Sequence, residues 1–121
     1  MSTSPDRVEM TLQVVADLTI VRFEDSKILD DLAIADMGQR LLDRIDKHGC
    51  RKMLLNFDHV GALSSAAIGK LIHLHKRMVE EEHGQLVMCA IKEYLLTAFR
   101  LLRLEKRFTI VANEEEAMKL F

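Results

Sequence analysis

The chain has 121 residues, 49% of them apolar and 30% charged, which suits one packed domain and excludes a disordered composition. A net charge of −2 supplies no global field toward nucleic acid or an anionic membrane, and with no Trp, one Tyr and five Phe there are few platforms for stacking single-stranded bases. Cys50 and Cys89 lack CxxC spacing, the opening MSTSPDRVEM lacks the apolar core of a signal peptide, and no apolar run nears the roughly 20 residues of a membrane span. The expected setting is therefore a reducing cytoplasm with both thiols reduced and inert and no membrane insertion.

Residues 1–6 read as a disordered lead. From Val8 the pattern alternates, with Val8, Met10, Leu12 and Val14 on one side and Glu9, Thr11 and Gln13 on the other, the period of a half-buried strand. Ala16-Asp17 reads as a turn, and Leu18 to Phe23 as a second strand that closes a hairpin. After EDSK the period changes. Ile34, Met37, Leu41, Leu42 and Ile45 recur at helical spacing, with Asp30 or Asp31 to cap the start and Gly49 to end it. MLLNF, Met53 to Phe57, reads as a buried central strand, and FDHVG as the loop after it.

A second helix is expected from about Ser65 to His83, with Ile68, Leu71, Ile72, His75 and Val79 along one side and Gly84 at its end. Leu86 to Ala90 is the next strand. Glu93 to Leu102 is a third helix with Leu95, Leu96, Phe99 and Leu102 inward, and Thr109 to Ala112 is a last short strand. The tail NEEEAMKLF reads as a fourth helix, with Asn113 and Glu116 at capping-box spacing. The expected fold class is α/β. It is one domain over residues 1–121, in the order ββαβαβαβα, with a mixed sheet of about five strands and about four helices.

The stretch MLLNFDHVGALSSAAIGKLIHLHKR, Met53 to Arg77, carries a resemblance. It is similar to the strand, loop, Asp-Ser-Ser-Gly-Leu-Gly segment and helix of the STAS domain family, in particular the bacterial anti-sigma factor antagonists. GQLVMCAIKEYLLTAFRLLRLEKRFTIVANEEEAMKLF resembles the last strand-helix-strand-helix half of that family, and Leu29-Asp30 its Leu-Asp at the start of the first helix. The resemblance covers nearly the whole chain. It implies a non-catalytic regulatory module that sequesters an anti-sigma factor with serine-kinase activity. Phosphorylation of one serine switches that module off, and a metal-dependent serine phosphatase restores it.

Carried over residue by residue, Ile68-Gly69 fits the family's Leu-Gly. That puts Ser65 on the phosphoacceptor, with Ser64 as second choice, and Ser64 stands where the family has Asp. The partner-binding set implied is Asp30, Leu63, Ser64, Ser65, Ala66 and Ala67.

Residue types alone give a plainer account of several of these positions. Ser64 and Ser65 are N-cap residues of the second helix, and a capping Ser65 can still accept phosphate. Asp30 is the N-cap of the first helix. Gly69 serves close packing of the second helix on the sheet. Glu114 to Glu116 favour a helix N-terminus, and Arg100, Arg103, Lys106 and Arg107 complement a helix C-terminus. His73 and His75 point to different faces, and no HxxxH or HExxH spacing argues for a metal. With no Gly-rich phosphate loop, GxSxG elbow or paired carboxylates, an enzyme is not expected, nor is any cofactor. The alternative to a partner switch is a STAS scaffold subunit of another complex, stressosome-like or lipid-transport, without a phospho-switch.

Overall fold

The computed structural model describes residues 7–121; the expected disordered lead at 1–6 lies outside the described residues. The alternating apolar pattern and the Ala16-Asp17 turn make a hairpin of β1 (Met10–Val15) and β2 (Leu18–Phe23), paired antiparallel from Met10↔Phe23 to Val15↔Leu18. Ala16 takes the left-handed conformation that so tight a turn needs, at φ 55°. Three further strands add in parallel: β4 (Lys52–Asn56) beside β2, then β6 (Gln85–Cys89), then β7 (Thr109–Val111). The resulting mixed sheet has five strands in the order β1-β2-β4-β6-β7.

Two short strands were not visible in the sequence: β3 (Lys27–Ile28) and β5 (Ala62–Leu63), which pair in parallel as a separate two-stranded sheet. Two residues are too few to show any alternation.

The helices are α1 (Asp31–Asp46), α2 (Ser65–His75), α3 (Glu93–Leu101) and α4 (Glu114–Met118). The apolar stripe of α1 is buried as its spacing requires, through Ile34, Met37, Leu41 and Ile45. These side chains meet Val21, Phe23, Met53, Leu55 and Phe57 of the sheet face and loop below. Phe23 and Phe57 pack with ring centroids 4.9 Å apart. Fully burying each such ring contributes roughly 1.5–3 kcal/mol. A smaller cluster of Leu18, Ile20, Leu54, Val87, Cys89 and Ala117 lies on the opposite face, under α4. Both cysteines are buried and free.

Several expectations are corrected. The second helix is not one α-helix to His83: after His75 the backbone widens into a π-helical stretch, Lys76–Glu81. Gly84 is pinned behind it, where an added Cβ would stand 2.6 Å from the Arg51 carbonyl and 2.8 Å from Met78 Sδ. Gly69 does not serve packing. It is exposed and a Cβ there would meet open space, whereas Gly38 of α1 gives way to the Lys70 side chain. Leu102 is 56% exposed rather than inward. The chain turns left-handed at Arg103 (φ 58°) into a short 3-10 turn, and Leu104 and Phe108 fill the core in its place. β1 is also less buried than its alternation implied, with Leu12 39% and Val14 59% exposed.

Candidate functional site

The loop from β4 to α2 carries the two serines, and it is held from several sides. Phe57 and Val60 are buried beneath it, with the Val60 amide donating to the Phe57 carbonyl at 2.9 Å. The Asn56 side chain accepts from the Asp58 amide at 2.8 Å and donates to Glu114 at 2.5 Å. The Lys92 ammonium donates to the Asp58 carbonyl, and the Tyr94 hydroxyl donates to the Gly61 carbonyl at 2.6 Å. On the other side the amides of Gly61 and Ala62 share the Ser26 carbonyl, at 2.7 and 3.0 Å. A Cβ at Gly61 would come within 3.2 Å of the Tyr94 hydroxyl, so the bare backbone here is what lets the loop pass beneath that ring.

β3 and β5 then bring two helix N-termini together. The Ser64 amide donates to the Ile28 carbonyl at 3.1 Å, two residues before Asp30, so α1 and α2 leave the small sheet side by side. Both helices are capped by side chains: Asp30 accepts from the Ala33 amide at 2.9 Å, and Ser64 Oγ from the Ala67 amide at 3.2 Å. Ser64, not Ser65, is therefore the N-cap of α2. It is half-buried with extended backbone (φ −80°, ψ 164°), and its hydroxyl is engaged. Ser65 is the first helical residue and is exposed, as is Ala66.

Leu63 is half-buried beside the serines, and Ala67 is fully buried. The third residue of the helix turns inward onto the sheet, so Ala67 supports this surface and takes no part in it. Asp30 is exposed at the neighbouring N-terminus, its carboxylate occupied as a cap.

Leu29, Leu32 and Tyr94 are also exposed, at 50%, 68% and 61%, just before the cap of α1, on its first turn and on the first turn of α3. Leu32 and Tyr94 escaped the reading of the sequence. Their signal is weak: Leu32 is an apolar residue outside the stripe of Ile34, Met37 and Leu41, which marks an apolar side chain left in water.

Electrostatics separate α2 from its neighbours. α1, α3 and α4 carry acidic residues in their first turns, Asp31, Glu93 and Glu114 to Glu116, and α2 carries none. The first turn of α2 thus supplies no acidic side chain of its own to the positive end of its dipole at Ser65.

On the far face of the sheet, Glu114 takes a bidentate hold on Arg22, at 2.7 and 2.8 Å, and that arginine holds the carboxyl below its ordinary range. Through Asn56 the same carboxylate steadies the start of the serine loop. The acidic run is therefore structural at Glu114 by a direct ion pair, beyond the dipole effect. Asn113 caps α4 from its side chain, accepting from the Glu116 amide at 2.9 Å.

The remaining candidate groups lie apart from this site. His73 is exposed and His75 buried, on different faces as their spacing required. His75 stacks edge-on against Phe108 (5.3 Å between centroids), and burial pushes its pKa down. Burial also pushes the Cys89 thiol up to about 11. Arg100 and Arg107 are paired within the fold, to Glu93 and Glu105 and to Glu80 respectively. No helix among the described residues is long and apolar enough to cross a membrane.

A family model described as the STAS domain matches residues 9–117. Among solved structures, an anti-sigma factor antagonist from Mycobacterium paratuberculosis is similar at a TM-score of 0.81 and 14% identity, over 98% of this chain and 97% of that one. An anti-sigma-factor antagonist (STAS) domain protein from Planctomyces limnophilus is similar at 0.78 and 18%, over 92% and 95%. The Bacillus cell fate determinant SpoIIAA in its phosphorylated form is similar at 0.71 and 16%, over 93% and 100%. At these identities the likeness is one of fold.

Proposed function

The chain belongs to the STAS family, and on that premise we propose that it is an anti-sigma factor antagonist switched at Ser65. It is a non-catalytic binding module that sequesters an anti-sigma factor with serine-kinase activity. That kinase transfers the γ-phosphoryl group of ATP to Ser65 Oγ, releasing ADP and a proton, and the complex parts. A metal-dependent phosphatase hydrolyses the phosphoserine with water, restoring the serine and releasing inorganic phosphate.

One observation carries the choice of residue. Ser65 stands exposed at the first position of α2, and its neighbour Ser64 has its hydroxyl spent on the Ala67 amide. A kinase must reach an exposed hydroxyl, and exposed Ser65 meets that condition better than half-buried Ser64.

The physics of the site supports a switch that acts on the partner rather than on the fold. A phosphoserine brings about −1.5 to −2 charges at pH 7. At Ser65 that charge meets the end of a helix dipole with no acidic residue in its first turn, which favours an anion by roughly 0.3–2 kcal/mol. The domain accommodates the dianion. A partner surface packed on Leu29, Leu32, Ala66 and Tyr94 does not, because an apolar contact cannot solvate it.

The test compares unmodified chain, Ser65→Ala and Ser65→Asp for binding to the anti-sigma factor kinase, with thermal melts alongside. Ser65→Asp is expected to melt as the parent does and to lose the partner; gross unfolding of Ser65→Asp, or full binding by it, contradicts the proposal. The alternative, a scaffold subunit without a phospho-switch, draws on Ser64 in place of the family's Asp. It predicts no mass change after incubation with kinase and ATP.

A further inference from the structure

The two edges of the main sheet are built differently. β7 is three residues long, the short edge that natural sheets use to discourage pairing. β1 is six residues, MTLQVV, with no charge, no proline and an unbroken register against β2. Among the described residues it carries none of the usual guards against edge pairing.

Its backbone is directed outward in a defined pattern. The Glu24 amide donates to the Glu9 carbonyl at 2.9 Å and the Glu9 amide donates to the Asp25 carboxylate at 2.9 Å, so the backbone groups of Glu9 face the β2 side, and those of Thr11, Gln13 and Val15 follow in the alternation. The N–H and C=O groups of Met10, Leu12 and Val14 therefore face the free edge. The side chains of the same three residues share the helix-bearing face of the sheet with Val21 and Phe23. α1 leaves that part of the face open, since Leu12 and Val14 are exposed.

We propose that β1 pairs antiparallel with β1 of a second copy of this chain across a two-fold axis through Leu12, joining the two sheets edge to edge. In this register Leu12 opposes Leu12 of the second copy, and Met10 opposes its Val14. Each pair exchanges backbone hydrogen bonds, and apolar side chains meet on one face. Arg7 comes opposite Asp17 of the second copy.

The neighbouring registers are worse. Moving the axis to Gln13 sets Glu9 against Asp17 of the second copy, two like charges. Moving it to Thr11 requires the Val8 carbonyl, which already accepts from Arg40 at 2.9 Å. A self-complementary strand of this kind fits the isologous contact that two-fold dimers use. One strand pair buries less than the roughly 1,200 Å² of a standard stable interface, so the dimer is weak and concentration-dependent. The contact uses the sheet edge and leaves Ser64 and Ser65 uninvolved.

Sedimentation equilibrium of the full chain tests this, together with single-cysteine cross-linking. The parent is expected to show a reversible monomer–dimer equilibrium below about 1 mM. Leu12→Lys should weaken it roughly tenfold or more with the melt unchanged, because two like charges then face each other on the axis. Directly opposed residues in such a pair have Cα atoms about 5.5 Å apart, within disulfide range. Leu12→Cys should therefore form a disulfide dimer on mild oxidation roughly tenfold faster than Gln13→Cys, the native thiols being buried. A monomer throughout that range overturns the proposal. So does a dimer that Leu12→Lys leaves intact, or one in which Gln13→Cys cross-links as fast as Leu12→Cys.

Discussion

The Ser64 hydroxyl accepts from the Ala67 amide at 3.2 Å, so the pair of adjacent serines divides into one that holds the helix and one that is free. Ser64→Ala should therefore cost about 1 kcal/mol, the usual value of a lost serine cap. Ser65→Ala should stay within about 0.5 kcal/mol of the parent, as exposed positions do. Urea unfolding midpoints of the two variants measure the difference. Equal destabilisation would mean that both hydroxyls cap.

Gly69 within the second helix and Gly84 behind its π-helical end should respond in opposite directions. Gly69→Ala places its Cβ in open space on a helix and should stabilise by roughly 0.5–1 kcal/mol. Gly84→Ala drives its Cβ to 2.6 Å from the Arg51 carbonyl, a backbone atom that cannot swing away, and should cost roughly 1–3 kcal/mol. Thermal melts of the two variants give both signs.

Arg22 and Glu114 predict an acid limb in the stability profile. The carboxyl is held below its ordinary value of 4.5, chiefly by Arg22. Between the folded and unfolded pKa values the unfolded chain binds more protons, so stability rises with pH there. The contribution is complete above about 4.5 and is lost as pH falls through the folded value. Glu114→Gln should remove that part of the acid slope and cost roughly 1 kcal/mol near neutrality, a modest figure because both side chains keep some contact with solvent. Denaturation midpoints taken against pH check it.

His75 predicts a second slope at higher pH. Burial lowers its pKa from 6.5 and the Arg107 charge adds to that, while Glu80, 3.5 Å from Nδ1, works the other way. A histidine kept neutral in the fold binds fewer protons than in the unfolded chain. Its share of stability is complete above 6.5 and is lost as pH falls below it. His75→Leu should flatten the stability profile from about pH 7 to about pH 5. A slope unchanged in this variant would assign the titration elsewhere.

Where the sequence was legible, a long periodic signal made it so. The apolar spacing of α1, the β1–β2 alternation and the Asp30 cap all state their structure locally, and the fold class follows from their order. What was not legible depends on contacts between distant segments. β3 and β5 are two residues each, and only their mutual pairing makes them strands, yet that pairing sets the N-termini of α1 and α2 together. The π-helical turn, the left-handed Arg103 and the replacement of Leu102 by Leu104 and Phe108 are tertiary choices of the same kind. At the site, residue types gave both serines as N-caps, with Ser65 capping and accepting phosphate at once, whereas the structure gives the cap to Ser64 and leaves Ser65 exposed. Which was which needed the register of the helix start, a one-residue distinction that periodicity does not resolve.

The most direct measurement of the central claim is site-resolved mass spectrometry after incubation of the chain with its anti-sigma factor kinase and ATP. The expected result is one phosphoryl group, on Ser65, with Ser65→Ala unmodified and Ser64→Ala still modified. Phosphate on Ser64, or an unmodified parent chain that nevertheless binds the kinase, would contradict it.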